Sequence, residues 1–258
     1  SSVINSSDPI YDRVGDIARS KDIGMRWGGD FNKTKERWHF DDRGNNRSRS
    51  GVLPEGSTNV LTLEFKLKSE IKSFGAQAKT RVGAAGPTTT ELNLIAGNII
   101  LQASQKQIPV ELITAIIAAE SYFAPSLVRE QSNYYTTFIR DREPFINHPD
   151  HDSADKWGTF GVSQILVANA IELLNIEVIG FSSNDLLNIP INIKLAAARL
   201  KDLFTTFSGS VPDIAAAWRD GEGVTAATVM GETQTFVNNV TQFFEDFSMV
   251  FEDLGRDL

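Results

Sequence analysis

Ile108 to Pro125 reads IPVELITAIIAAESYFAP, and the reading of this stretch decides the fold. Pro109 suits the first turn of a helix, where no backbone N–H is needed, and Glu111 suits its positive end. Leu112, Ile113, Ile116 and Ile117 recur at helical spacing, so the helix carries an apolar face that has to be buried. Glu120 follows Ile116 by four residues and Ile117 by three, which places it on that same face. Burial of an ionised carboxylate is unfavourable, so its pKa should rise and the neutral acid should persist. A neutral carboxyl at a helix end is what a general acid needs, for instance one that cleaves a glycosidic bond. The alternative is a Glu turned outward where the helix frays, and this stretch alone leaves both open.

Outward from this helix the pattern stays helical from Thr90 nearly to the end. On the N-terminal side Thr90 suits an N-cap, and Leu92, Ile95, Ile99 and Ile100 mark a buried face. On the C-terminal side, Val128 to Pro149 is polar and aromatic. Tyr134, Tyr135 and Phe138 there either line a sugar site, where flat rings stack on pyranose faces, or pack beneath a long loop. His148 and His151, with Asp150, Asp152 and Asp155, invite a metal reading or form a solvated loop. Trp157 to Leu166, WGTFGVSQIL, leads into a helix carrying Ala170, Leu173 and Leu174. A turn from Asp185 precedes a helix striped by Ile193, Leu195, Ala196, Ala197 and Leu200. Pro212 opens a helix to Trp218, DGEGVT breaks it, and Thr233 to about Phe251 is amphipathic and rich in Phe.

In that order, the helix with IPxELxxAIIxxES, then GTFGVSQIL, NIxxAAxxL and an Ala-aromatic-x-x-Gly turn, the chain resembles the soluble lytic transglycosylase domain. It is especially similar to the versions in phage virion proteins, where ESxFxPxxVR precedes a Tyr/Phe-rich insertion. The resemblance implies a mainly α, lysozyme-like fold that cleaves the MurNAc–GlcNAc β-1,4 bond of peptidoglycan. It implies one catalytic Glu, acid to the leaving oxygen and then base to the C6 hydroxyl, with no cofactor and a 1,6-anhydro product. Glu120 matches that Glu, and Ser121 would orient the carboxyl group or the substrate. Gly161 and Gln164 match a Gly-x-x-Gln segment along the sugar cleft, and Asn192 a structural Asn. Trp218-Arg219 stand where the family has Tyr-Asn, and Ser163 where it has Met. Trp218 keeps the aromatic at the site, and Arg219, if near Glu120, would favour the carboxylate. Those changes also suggest a rival, a structural virion protein whose lysozyme-like domain is inactive or only binds glycan.

The N-terminal part reads differently. Ile10, Val14, Ile17 and Ala18 make a short amphipathic helix that stops near Gly24. WGGDF followed by ExxHF, Trp27 to Phe40, is similar to the closing motif of the zinc D-Ala-D-Ala carboxypeptidase and L-alanyl-D-glutamate endopeptidase family. That similarity implies His39 as a zinc ligand and Glu36 as catalytic base. The family's upstream His and Asp ligands have no counterpart before Trp27, and zinc on one protein ligand does not persist. Peptidase activity is therefore not expected of this segment as given, unless another chain supplies ligands. Residues 43–88 read as a linker with one possible strand, VLTLEFKL from Val60 to Leu67, in which apolar and polar residues alternate.

The totals bound these readings. A chain of 258 residues with 41% hydrophobic and 22% charged residues is globular in composition. A net charge of −8 argues against general nucleic-acid or anionic-membrane binding, and with no cysteine there is neither disulfide nor thiolate metal site. No run has the length of a membrane span, and SSVINSSDP does not have the order of a signal peptide. The expected organisation is a peptidase-like segment over 1–42, small and α+β, the linker over 43–88, a lytic transglycosylase domain over 89–247 and a tail over 248–258. The expected partners are peptidoglycan strands and other virion or tail proteins, in a phage tail or injection apparatus.

Overall fold

The chain divides into two units, residues 1–53 and 54–258. The computed structural model describes residues 25–27, 40–42, 55–130, 135–141, 145, 148, 151–174 and 182–251. In the first unit β1 (Met25–Trp27) pairs antiparallel with β2 (Phe40–Asp42), Met25 opposite Asp42 and Trp27 opposite Phe40. Glu36, His39 and the expected helix over residues 10–18 lie outside the described residues.

The second unit opens with a correction. The stretch expected as a strand within a linker belongs to a helix, α1 (Glu55–Gly75). Leu63, Leu67 and Ile71 recur every fourth residue and are buried, while Phe65, on the opposite side, is 75% exposed. The alternation in VLTLEFKL is too short to compete with a helical stripe that continues through Ile71 to Phe74. Packed on the helices that follow, this stripe contributes to the main core, and Lys66 Nζ donates to the Val250 carbonyl at 2.7 Å. Residues 55–75 are thus part of the domain.

After the short α2 (Ala78–Val82), α3 (Thr89–Lys106) begins two residues earlier than a Thr90 N-cap would have it. Thr88 is the N-cap, because Glu91 stands three residues on and completes a capping box. The Glu91 backbone N–H donates to Thr88 Oγ1 at 3.3 Å and Glu91 Oε2 accepts from the Thr88 backbone at 2.8 Å. α4 (Val110–Ser121) is the expected central helix, with Pro109 just ahead of it. It is buried almost all round, leaving Glu111 and Ala119 less covered, as suits a helix that is apolar on every side.

β3 (Val128–Arg129), β4 (Thr159–Phe160) and β5 (Ile165–Leu166) form a small antiparallel sheet beside the end of α4, with Arg129 opposite Thr159. α5 (Val167–Leu174) follows directly. α6 (Ile189–Thr206), capped by the Asn188 side chain, packs on α3. α7 (Val211–Asp220) and α8 (Gly231–Phe251) pack on each other, and α8 also covers α4. Among the described residues no helix is long and apolar enough to cross a membrane.

An aromatic cluster fixes the chain just beyond α4. Phe74 of α1 meets Phe243 of α8 edge-on at 5.0 Å and lies 6.0 Å from Tyr122 and 6.1 Å from Phe123. Tyr122 and Phe123 both hold left-handed backbone conformations (φ 50° and 60°), which side-chain-bearing residues adopt only when their surroundings impose it. Packing against α1 and α8 supplies that constraint, so the exit from α4 turns sharply toward β3.

Candidate active site

Glu120 sits in the last turn of α4 and is 6% exposed. The spacing that put it on the apolar face is the reason: Ile116, Ile117 and Ala118 around it are fully buried. Its two carboxyl oxygens have different partners. Oε1 accepts from the indole Nε1–H of Trp218 at 3.0 Å, and Oε2 accepts from Arg129 Nη1 at 3.2 Å. Arg129 Nη2 also donates to the backbone carbonyl of Glu120 at 2.6 Å. Burial pushes the Glu120 pKa up, and it outweighs the guanidinium groups of Arg129 and Arg219 and the hydrogen bonds from Trp218 and Arg129, all of which pull it down. The balance favours a neutral acid over a longer pH range than a solvated Glu allows.

Trp218 is itself buried at the end of α7, and Arg199 of α6 holds it in place. The Arg199 guanidinium lies 4.9 Å from the indole centroid, and its Nη2 donates to the Trp218 carbonyl at 2.8 Å. Arg219 turns elsewhere: it lies 5.2 Å over the Phe236 ring and 3.9 Å from Glu232.

The turn from Phe160 to Gln164 backs this site. Asn192, fully buried, accepts from the Ser163 backbone at 2.8 Å and donates to the carbonyls of Phe160 at 2.8 Å and Leu186 at 2.9 Å. Gly161 is left-handed (φ 73°), and a Cβ there would lie 2.5 Å from the Leu186 carbonyl oxygen and 2.7 Å from Asn192 Nδ2. Only glycine fits that approach. Gly158 is as tightly placed: a Cβ on it would stand 2.1 Å from the Arg129 carbonyl oxygen. The close pass brings β4 against β3 and sets Arg129 beside Glu120.

A buried carboxyl group whose pKa is raised by desolvation is an arrangement found among enzymes of glycan cleavage. Residues 97–235, more than half of the chain, match the model of the Transglycosylase SLT domain. The chain belongs to that family. A solved structure of an inactive mutant of the lytic transglycosylase Slt from Pseudomonas aeruginosa is similar at 16% identity and a TM-score of 0.47, over 74% of this chain and 29% of that one. No curated protein matches. The described residues are mainly helical, the fold class expected. Helix α1 and the end of α8 lie outside the matched residues yet complete the core around them.

Several residues expected to face substrate have other partners. The Ser121 hydroxyl is buried and donates to the Val162 carbonyl, tying α4 to the Gly161 turn instead of orienting Glu120. Gln164 donates through Nε2 to the carbonyls of Gly161 at 2.8 Å and Leu127 at 3.0 Å, while its Oε1 accepts from Thr159. Its amide therefore locks the turn from inside. Tyr135 packs in the main core, as the beneath-the-loop reading has it, and Tyr134 lies outside the described residues. Trp218, which stands where the family pattern has Tyr, reaches the acid itself through its indole N–H.

Arg129 was missed as a site residue. It stands nine residues after Glu120 in ESYFAPSLVR, and only its pairing with Thr159 shows that the chain returns. Of the loop read either as a metal site or as solvated, the two histidines take separate partners, and Asp150 lies outside the described residues. His148 is buried edge-on against Trp157 at 4.8 Å, while His151 bonds the Arg140 carbonyl and Asp152. Among the described residues no group of three or more His, Asp or Glu side chains could hold a metal ion.

Proposed function

We propose that the chain cleaves the MurNAc–GlcNAc β-1,4 bond of peptidoglycan strands with Glu120 as its one catalytic carboxyl group. The observation that carries this is the buried, neutral-leaning Glu120 with donors on both oxygens, set within residues that match the transglycosylase family. Neutral Glu120 protonates the glycosidic oxygen as the bond to C1 of MurNAc breaks, and the electron pair leaves with that oxygen. The carboxylate then takes the proton of the MurNAc C6 hydroxyl while O6 bonds to C1. Glu120 is restored, no water is consumed, and the product ends in a 1,6-anhydro sugar. Every proton in this sequence is carried by Glu120 or by the sugar, so the chemistry calls on no cofactor.

The reading extends to a setting in a phage tail or injection apparatus, with other virion proteins as partners and a peptidase-like segment over 1–42. Resemblance in the motifs supports it: ESxFxPxxVR in one part, and WGGDF with ExxHF, including Glu36 and His39, in the other. The rival, a structural virion protein with an inactive or glycan-binding domain, rests on the Trp218-Arg219 pair; the hydrogen bond from Trp218 to the acid favours the enzymatic reading. Zymography on purified peptidoglycan, with mass spectrometry of the products, is the test. Clearing with anhydro-ended fragments by wild type, abolished in Glu120→Gln, is the expected result. No clearing by folded wild type would overturn the reading.

A further inference from the structure

We propose that Arg129 is the positioning residue that lets Glu120 serve in both directions, first as acid and then as the waiting anion; this rests on Glu120 being the catalytic carboxyl group. The geometry separates two tasks in one guanidinium. Nη2 is fixed on the backbone carbonyl of Glu120 at 2.6 Å, a carbonyl in the last turn of α4 where helical partners run out. That bond, and the favourable place of a cation at a helix C-terminus, do not depend on the protonation of the side chain. Nη1 meanwhile stands 3.2 Å from Oε2. The cation is therefore in position before the negative charge exists, which is how preorganised charge acts on a reaction.

The strand that carries Arg129 is held as firmly as the helix. Arg129 is opposite Thr159 in the sheet, and the Gly158 backbone passes against its carbonyl. The side chain is 35% exposed whereas that of Glu120 is 7% exposed, so the guanidinium bridges from the buried carboxyl toward solvent and keeps part of its hydration. Other charged groups near Glu120 are engaged differently. Arg219 of α7 is drawn to Glu232 and the Phe236 ring of α8, and Arg199 of α6 lies on the Trp218 ring and its carbonyl. Among the described residues Arg129 is the cation in hydrogen-bond contact with the carboxyl group. When Glu120 passes its proton to the leaving oxygen, the charge left on the carboxylate meets Nη1; when the C6 hydroxyl proton returns, the contact reverts to that of a neutral acid.

The test compares wild type, Arg129→Met, Arg129→Gln and Arg129→Lys on purified glycan strands, with Glu120→Gln alongside and circular dichroism as the check on folding. Both neutral variants remove the charge, and the Gln side chain keeps a donor should the Met variant not fold. The alkaline limb of kcat/KM, which reports loss of the neutral acid, is expected to move up by about one pH unit in the neutral variants and to return toward wild type in Arg129→Lys. With it, kcat should fall by about tenfold or more while KM stays nearly constant. A folded neutral variant whose limb coincides with wild type overturns the proposal, as does a Lys variant displaced as far as the Met one. Retained activity in Glu120→Gln would instead sink the reading of Glu120 itself, whatever Arg129 does.

Discussion

Replacing Gly161 by Ala tests whether the turn behind Glu120 is as tightly built as its geometry indicates. Alanine must hold φ near 73°, and its Cβ would lie 2.5 Å from the Leu186 carbonyl oxygen and 2.7 Å from Asn192 Nδ2. The left-handed conformation alone costs about 1–2 kcal/mol for a residue with a Cβ. Leu186 offers a backbone atom that cannot step aside, so Asn192 has to move. Displacing that amide loosens its bonds to Ser163, Phe160 and Leu186, and each buried group left unpaired costs about 1–3 kcal/mol. With one such group left unpaired these give about 2–5 kcal/mol, which for a unit of this size lowers the melting temperature by about 4–20 °C. Gly97→Ala is the matched control: Gly97 is exposed within α3, a Cβ there meets nothing within 4 Å, and the change should stabilise by about 0.5–1 kcal/mol. Thermal unfolding followed by calorimetry reads both. A Gly161→Ala protein that melts within about 2 °C of wild type would refute the reasoning, because neither strain nor lost hydrogen bonds would then be present.

Trp218→Phe keeps the ring but removes the N–H that reaches Oε1 at 3.0 Å. That bond pulls the Glu120 pKa down, so its loss should raise the alkaline limb of kcat/KM by about half to one pH unit; an unmoved or lowered limb would contradict the assignment. Stability should also record Glu120. Its folded-state pKa is raised, so the stability it contributes is complete below the unfolded value and is lost as pH rises through the folded one. Glu120→Gln, neutral throughout, should therefore gain in melting temperature relative to wild type as the pH rises above the ordinary carboxylate value of about 4, and a difference that stays constant as the pH rises would count against the burial argument.

The central helix was legible because its apolar residues recur at helical spacing, and the burial of Glu120 follows from the same spacing. The helix of α1 was not, since VLTLEFKL satisfies an alternating pattern when it is cut off at Leu67, and Ile71 and Phe74 decide the matter only when the window runs further. Arg129 was illegible for a different reason. Nothing local distinguishes it from other surface arginines, and its role depends on a two-residue strand pairing with a segment thirty positions away. The expected roles of Ser121 and Gln164 came from motif position, which marks residues that matter without saying whether they face ligand or hold backbone. Here they hold backbone, and Asn192 does so with them. Trp218 could be placed at the site by resemblance, but that its indole N–H donates to the acid required the fold.

The two neighbours of Glu120 share a chemical limitation. An indole N–H and a guanidinium can each give a hydrogen bond, and neither has a lone pair with which to receive one. Neither of these two side chains can therefore take the proton of the neutral acid or pass it on into the protein. The proton therefore leaves outward, to solvent or to an oxygen brought in beside Glu120, and not inward through these two side chains.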